Sequence, residues 1–387
     1  MALKISIIAS DLSGAVAIRA FLIAQALGRL EYDVEIIGFT FRDELYASPP
    51  QGVRIQTLPG VALPGFISSA RELLRKMDGD IIYALKPLPM SFGVALVGRL
   101  MQRRPLILDI DDWETSWLKE DWAWHVTLKQ MAIATFRKNA GMRNPNHPKY
   151  IRWMERLVPR ADAITVHTTF LKERFGGVYL PNGKDTALFD PAKFDPQVSR
   201  ARHGLAGFRV LLFPGSPRPH KGLEDLLTAL DALNEDDLRL VIVGGSTYDN
   251  YDDKLIQKWG RWIIKLPRSS VETMPEIVSC AHVLVVPSRN SPISNAQFPL
   301  KLTDGMSMAK PVLATRVGDM PDILSDTGYL VEPGNSVQMA AAIREIFRDY
   351  GNAEAKGRAA RERCIARYSL NAMSTALSHL VESVQHA

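Results

Sequence analysis

Phe213-Pro214-Gly215-Ser216-Pro217-Arg218-Pro219-His220-Lys221-Gly222-Leu223 is the stretch on which the reading of this 387-residue chain turns. The apolar run just before it, residues 209–213, reads as a buried strand. A glycine turn follows at Gly215. From about Lys221 a helix is expected, because Leu223, Leu226, Leu227 and Leu230 recur at i, i+3, i+4 and i+7 and fall on one face. Strand, glycine turn and helix make the opening unit of a doubly wound α/β domain. Two fixed cations, Arg218 and Lys221, stand in the turn. Beside the positive end of a helix they suit a diphosphate, the arginine as a planar fork and the lysine as a point charge. The same residues are equally compatible with a solvated loop ahead of a capped helix.

Outward from this unit the pattern repeats. Residues 240–243, 283–287, 311–315 and 329–331 continue the second half as strands, and from about Val337 the chain reads as helical. In the first half, residues 4–9, 34–39, 53–58, 80–85 and 105–110 read as strands, with 163–167 the last and a helix over 15–30. The runs do not alternate apolar with polar, which is the mark of parallel strands buried on both faces. With helical segments between them, the expected fold is α/β: two Rossmann-like doubly wound domains with a cleft between them. The polar stretch punctuated by Asp190-Pro191 and Asp195-Pro196 marks the boundary. Expected domains are 1–190, 191–365, and a C-terminal helix over 366–387 packing back on the first domain. The length suits two cores better than one.

Composition narrows the class. A chain 46% hydrophobic and 23% charged belongs with globular proteins rather than disordered ones. No apolar run reaches the ~20 residues of a membrane span. The start reads directly as a strand and lacks a leader pattern. Two cysteines, Cys280 and Cys364, give neither a disulfide framework nor a zinc spacing. The expected location is cytoplasmic, with a peripheral place on the inner face of a membrane as an extension. A net charge of +5 favours anionic partners without choosing among them.

A second segment, residues 291–312, follows the strand at 283–287. Pro299 fits the first turn of a helix, and the amides of Asn295, Ala296, Gln297 and Phe298 are expected to face an anion. Lys301 and Asp304 are three apart and share a helix face. A carboxylate there can accept both hydroxyls of a ribose; an ordinary surface ion pair is the alternative.

Together the two segments resemble the retaining GT-B glycosyltransferases of the large family four, the glycosyl transferases group 1. Members carry a glycine turn with Arg and Lys-Gly, matched by Gly215, Arg218 and Lys221-Gly222. They carry a Glu-x7-Glu element before a Pro-Val strand, matched over residues 306–312. Leu180-Pro181-Asn182-Gly183-Lys184-Asp185 with Phe189 resembles the turn that ends the family's first domain. Gly318-Asp319-Met320-Pro321-Asp322 and Gly328-Tyr329-Leu330-Val331-Glu332-Pro333-Gly334-Asn335 resemble the motifs that follow. The likeness runs in order over about residues 150–370 and thinly over 1–150.

The resemblance implies transfer of a sugar from a nucleotide-diphosphate donor to an acceptor hydroxyl with retention, without cofactor or metal. The departing phosphate itself would take the acceptor proton. Arg218, Lys221 and Asp111 would be catalytic. Gly14, Gly215, Ser216, Asn295, Ala296, Gln297, Phe298, Lys301 and Asp304 would hold the donor. One departure stands out: Ala296 occupies the place of the first acid of Glu-x7-Glu, which contacts the transferred sugar. Asn295 and Gln297 are the candidates to replace its hydrogen bond. A nucleotide-sugar epimerase and a non-catalytic nucleotide-sugar binder are the rival readings. A nicotinamide oxidoreductase is disfavoured, because neither half opens with Gly-x-Gly-x-x-Gly.

In the first half, Ser10-Asp11-Leu12-Ser13-Gly14-Ala15 resembles the family's glycine loop; it also reads as a plain turn capped by Ser13. Leu108-Asp109-Ile110-Asp111-Asp112-Trp113-Glu114 ends a strand and contains Asp-x-Asp, a metal motif of another fold. Asp111 stands where the family has its His, near the transferred sugar. Lys86, after the strand at 80–85, reads as a surface lysine or a helper at the phosphate, and His167 as a structural histidine. Trp113, Trp117, Trp122, Trp124 and Trp153 cluster, and residues 125–160 carry eight Lys or Arg against Glu155. Leu128, Met131, Ala132 and Phe136 fall on one helical face. That pattern suits either a packed helix or an anionic membrane surface carrying a lipid-linked acceptor. Nucleic acid is not expected, for want of a binding module.

Overall fold

The computed structural model describes residues 3–117, 141–246 and 249–385. They form two compact units: residues 3–182 with 373–385, and residues 183–372. The crossing at Asn182–Gly183 lies just ahead of the Asp190-Pro191 punctuation.

The first unit holds seven strands, β1 (Lys4–Ala9), β2 (Asp33–Thr40), β3 (Arg54–Pro59), β4 (Ile81–Leu85), β5 (Leu106–Ile110), β6 (Ala163–Val166) and β7 (Val178–Tyr179). Their order in the sheet is β3-β2-β1-β4-β5-β6-β7, and every pairing is parallel. The second unit holds β8 (Arg209–Pro214), β9 (Leu238–Val243), β10 (Ile263–Leu266), β11 (Val283–Val286), β12 (Val312–Thr315) and β13 (Tyr329–Val331). Their order is β10-β9-β8-β11-β12-β13, again all parallel. Each sheet reverses its strand order beside its first strand, the switch point at which doubly wound sheets bind ligands outside the strands' carboxyl ends.

The reason for the continuous apolar runs is visible on β8. Val210 and Leu212 point into one core, with Leu302, Met306 and Ala360. Leu211 and Phe213 point into another, with Leu223, Leu226, Leu227 and Leu230 of the helix Leu223–Leu233. A strand covered on both faces has no solvated side, so its sequence does not alternate. In the first unit the core of β1, β2 and β4 is completed from the far end of the chain. Met373, Leu377, Leu380, Val381 and Val384 of the helix Leu370–Gln385 pack with Ile5, Ile7 and Leu27. Each such side chain removed from water contributes roughly 1.5–3 kcal/mol.

Candidate functional site

The second unit's site begins where β8 ends. Gly215 has φ 139°, and a Cβ there would lie 2.8 Å from Lys301 Cε. The φ favours glycine, and the Lys301 side chain crosses the turn with its ammonium 4.9 Å from the centroid of the Phe213 ring. The expected helix start is corrected. Pro219–Lys221 form a 3-10 turn, and the α-helix opens only at Leu223. Between them Gly222 sits at φ 70°, where a Cβ would fall 1.9 Å from the Pro287 carbonyl oxygen. Lys221 is thus held in a separate turn ahead of the helix, and its Nζ donates to Gln297 Oε1 at 2.7 Å.

Electrostatics gathers the cations at this turn. Burial pushes the His220 imidazole down to about 4, and Lys221, Arg218 and Lys301 press it the same way. The histidine is therefore neutral at physiological pH, and the positive field belongs to the three fixed cations. Burial also lowers Lys301, which Asp304 opposes. Ser216 and Arg218 are half-buried in the same turn.

The segment after β11 is built from two short helices. Ser291 caps the first, Pro292–Ala296, accepting from the Ser294 amide at 3.1 Å. Pro299 precedes the second, Leu300–Ser307, as its cap residue rather than lying in its first turn. Two of the amides expected to face an anion have partners inside the chain: Asn295 N donates to Ser291 O at 2.9 Å and Gln297 N to Ser294 O at 3.4 Å. The Asn295 side chain is engaged at both ends, accepting from the Gly318 amide at 3.1 Å and donating to Asn290 Oδ1 at 3.0 Å. Ala296 is fully buried and Phe298 nearly so. Lys301 and Asp304 are half-buried on the second helix. The ion pair of Asp304 is with Lys184, which stands 120 positions earlier in the chain.

The first unit has its own polar centre. Arg19 and Asp109, both buried, form a bidentate pair at 2.9 and 2.7 Å. Arg19 also donates to Asn182 Oδ1 and to the Leu180 carbonyl, each at 2.9 Å. Thr165 donates to Asp109 at 2.6 Å, and Asn182 Nδ2 lies 3.3 Å from His167 Nδ1. Two residues further along the chain, Asp111 meets Lys86 Nζ at 3.2 Å, and Lys86 also bonds Glu114. With its side chain 17% exposed and paired to both carboxylates, Lys86 is not a surface lysine; its backbone is left-handed at φ 67°. Burial alone would raise the Asp111 carboxyl; Lys86, His167 and Arg19 hold it below the usual range. In the glycine loop, Asp11 Oδ1 accepts from Ser13 N at 2.9 Å and Ser13 Oγ at 2.6 Å, and Ser13 Oγ accepts from Phe41 N at 3.0 Å. Ser13 therefore ties the loop to the end of β2 and does not cap the helix Val16–Gly28. A Cβ on Gly14 would lie 2.7 Å from Asp11 Oδ2, so the bare glycine makes room for that turn.

Residues 208–349 match the family model of the glycosyl transferases group 1. The matched segment lies wholly within the second unit. Over 141 residues it is 30% identical to an uncharacterized glycosyltransferase of Methanocaldococcus jannaschii, covering 36% of this chain and 38% of that one. Over 241 residues it is 24% identical to the GDP-mannose-dependent alpha-(1-6)-phosphatidylinositol monomannoside mannosyltransferase of Mycobacterium tuberculosis, covering 58% and 63%. The matches thus span between about a third and two thirds of these relatives' lengths. The fold is that of the sucrose-phosphate synthase of Thermosynechococcus elongatus, with a TM-score of 0.75, 19% identity and 99% of each chain covered. The architecture is therefore GT-B, two Rossmann-like units in one chain.

Gly215, Ser216, Arg218, Lys221, Gln297, Lys301 and Asp304 all lie in the second unit, within the matched segment that takes in β8 as its first strand. Gly14 and Asp111 belong to the first unit. Sequence reasoning missed Arg19 and Lys184. Arg19 had a signal: it is the one charge in the helix sequence Val16–Gly28, as Asp109 is in β5. Through that pairing Asp109 of the Asp-x-Asp stretch is turned inward. Among the described residues, no group of three or more His, Cys, Asp or Glu is placed to hold a metal ion, and no helix is long and apolar enough to cross a membrane. The Trp122, Trp124 and Leu128–Phe136 readings lie outside the described residues.

Asp112 makes a pH prediction. Burial pushes its carboxyl up to about 6, although Trp113 N and Trp117 Nε1 donate to it at 2.8 and 3.1 Å. Between about pH 4 and 6 the folded state holds a proton that the unfolded state has lost, so this residue's contribution to stability falls as pH rises through that window. Asp112→Asn removes the titration. The melting temperature of the variant relative to wild type is expected to climb between pH 4.5 and 7.5, and a gap independent of pH contradicts the assignment.

Proposed function

We propose that this protein is a glycosyltransferase. It moves a sugar from a nucleoside-diphosphate donor to an acceptor hydroxyl with retention, and the second unit holds the donor. The observation that carries this is the gathering of three cations at the turn after β8: Arg218 precedes the 3-10 turn that holds Lys221, and Lys301 crosses Gly215. As the glycosidic bond breaks, charge builds on the diphosphate, and preformed cations stabilise it most where water is scarce. Lys221 is bonded to a neutral amide, so exchanging that partner for a phosphate oxygen breaks no ion pair with Gln297. The cations do here what a divalent ion does in other transferases, and the reaction is expected to proceed without metal. Asp304 takes the ribose hydroxyls. With Asn295 engaged at both ends, the amide that stands in for the missing acid is that of Gln297, beside buried Ala296. The GDP-mannose dependence of the mycobacterial relative supports a nucleotide sugar as donor.

Asp304→Ala is expected to weaken nucleoside-diphosphate binding by about tenfold, the scale of one lost charge-assisted hydrogen bond. Calorimetric titration measures it, and unchanged affinity rejects the ribose role.

The acceptor side extends the reading to an anionic membrane surface and a lipid-linked acceptor. Trp153 is 59% exposed on the helix Pro148–Leu157, on the face that carries Lys149 and Arg156, while Ile151 and Met154 are buried. An exposed tryptophan among cations suits a headgroup layer. A non-catalytic nucleotide-sugar binder is the second reading, favoured by Ala296 alone; it binds nucleotide and turns nothing over.

A further inference from the structure

Lys184 carries a role that neither the donor turn nor the Glu-x7-Glu likeness assigns. It sits in the turn Leu180–Asp185, and its ammonium bonds Asp304 Oδ1. Three further contacts fix it. The ammonium lies 3.3 Å from the centroid of the Phe189 ring, a cation–π contact. The Lys184 amide donates to the Tyr368 carbonyl at 2.7 Å, and its own carbonyl accepts from the Leu370 amide at 3.0 Å. Lys184 and Ser369 form an isolated parallel bridge. Gly183 is the first residue of the second unit and Ala372 its last. The two ends of that unit therefore lie side by side, and the lysine that joins them reaches Asp304.

We propose that Lys184 is the positioning residue for Asp304: it presents the carboxylate to the ribose of a nucleoside diphosphate and ties nucleotide occupancy to the paired segments around Lys184 and residues 368–370. This rests on the donor-site reading. The physical argument has two parts. A carboxylate near a site for a dianionic diphosphate repels the ligand unless a cation neutralises it, and Lys301, one turn earlier on the same helix, faces the glycine turn instead. A short acid on a helix also samples several rotamers, and a lysine held at backbone and ring restricts it to one. With Oδ1 held by the ammonium, Oδ2 accepts from the diol. Binding then immobilises Asp304 and, through it, Lys184. The amides of Lys184 and Leu370 should exchange more slowly when nucleotide is bound.

The test compares wild type, Lys184→Met, Lys184→Arg and Asp304→Ala as full-length chains against UDP, GDP, ADP and dTDP. It uses calorimetry for affinity and hydrogen exchange for the two amides. Lys184→Met is expected to lose about tenfold in affinity for whichever nucleotide wild type binds best, one charge-assisted contact, while Lys184→Arg retains most of it. In wild type, nucleotide should slow exchange at Lys184 and Leu370, and in Lys184→Met it should not. If Asp304→Ala weakens binding but Lys184→Met binds as well as wild type or better, the lysine does not present the carboxylate; the proposal falls and the donor site stands. If Asp304→Ala leaves affinity unchanged, the ribose reading itself fails and takes the proposal with it. Should Lys184→Met not fold, the wild-type exchange data decide, and no nucleotide-dependent change at these two amides overturns the proposal.

Discussion

Lys221→Ala is expected to lower turnover by about 10²-fold or more, the typical loss when one group that stabilises transition-state charge is removed. The size follows from its setting. Lys221 is not a long surface side chain waving in water; Gly222 in its left-handed conformation and the short turn Pro219–Lys221 fix its backbone, and Gln297 holds its ammonium. The lysine is thus preorganised, and on the proposed reading its contribution would grow as the leaving diphosphate gains charge. The effect should fall mainly on kcat rather than on KM, since the donor's ground-state charge is shared with Arg218 and Lys301. Steady-state kinetics of nucleoside-diphosphate release measure it. Turnover close to wild type would remove Lys221 from the mechanism.

Arg19→Leu is expected to destabilise the first unit by roughly 3–5 kcal/mol, the cost of leaving one partner of a buried ion pair without the other. Asp109 is fully buried and takes both of its strong bonds from Arg19, with Thr165 as a third donor. The loss also frees Asn182, at the end of that unit, and the Leu180 carbonyl. Asp109→Leu in the Arg19→Leu background removes the stranded charge and should recover a large part of the deficit. Urea unfolding of the three chains measures both steps. A single variant with wild-type stability, or a double variant worse than the single by a further full step, would contradict the account of the pair.

The strands at the centre of each sheet were legible because both of their faces are buried, and a continuous apolar run is the sequence consequence. The strands at two edges were not. Val178–Tyr179 is only two residues long, and Ile263–Leu266 carries an exposed Lys265, so neither makes an apolar run. The strand, turn and helix around Gly215 were legible in order along the chain. The turn's break from the helix was not, since Gly222 is required by the approach of Pro287, 65 positions away in sequence. Likewise the spacing of Lys301 and Asp304 offers a mutual ion pair as its alternative reading, whereas Lys301 lies over Gly215 and Asp304 pairs with Lys184. Helical spacing says which side chains share a face; it does not say which neighbour from elsewhere in the chain reaches that face first. Arg19 and Asp109 show the opposite case. A charge alone in a mostly apolar helix and another alone in an apolar strand can be tolerated in a core when each pairs with an opposite charge.

The measurement that tests the central claim most directly is calorimetric titration of the purified chain with UDP, GDP, ADP, dTDP and NAD, each with and without EDTA. The donor-site account predicts that one nucleoside diphosphate binds more tightly than the rest and that EDTA leaves its affinity unchanged. Preference for NAD, or no nucleoside-diphosphate binding by a folded sample, would contradict it.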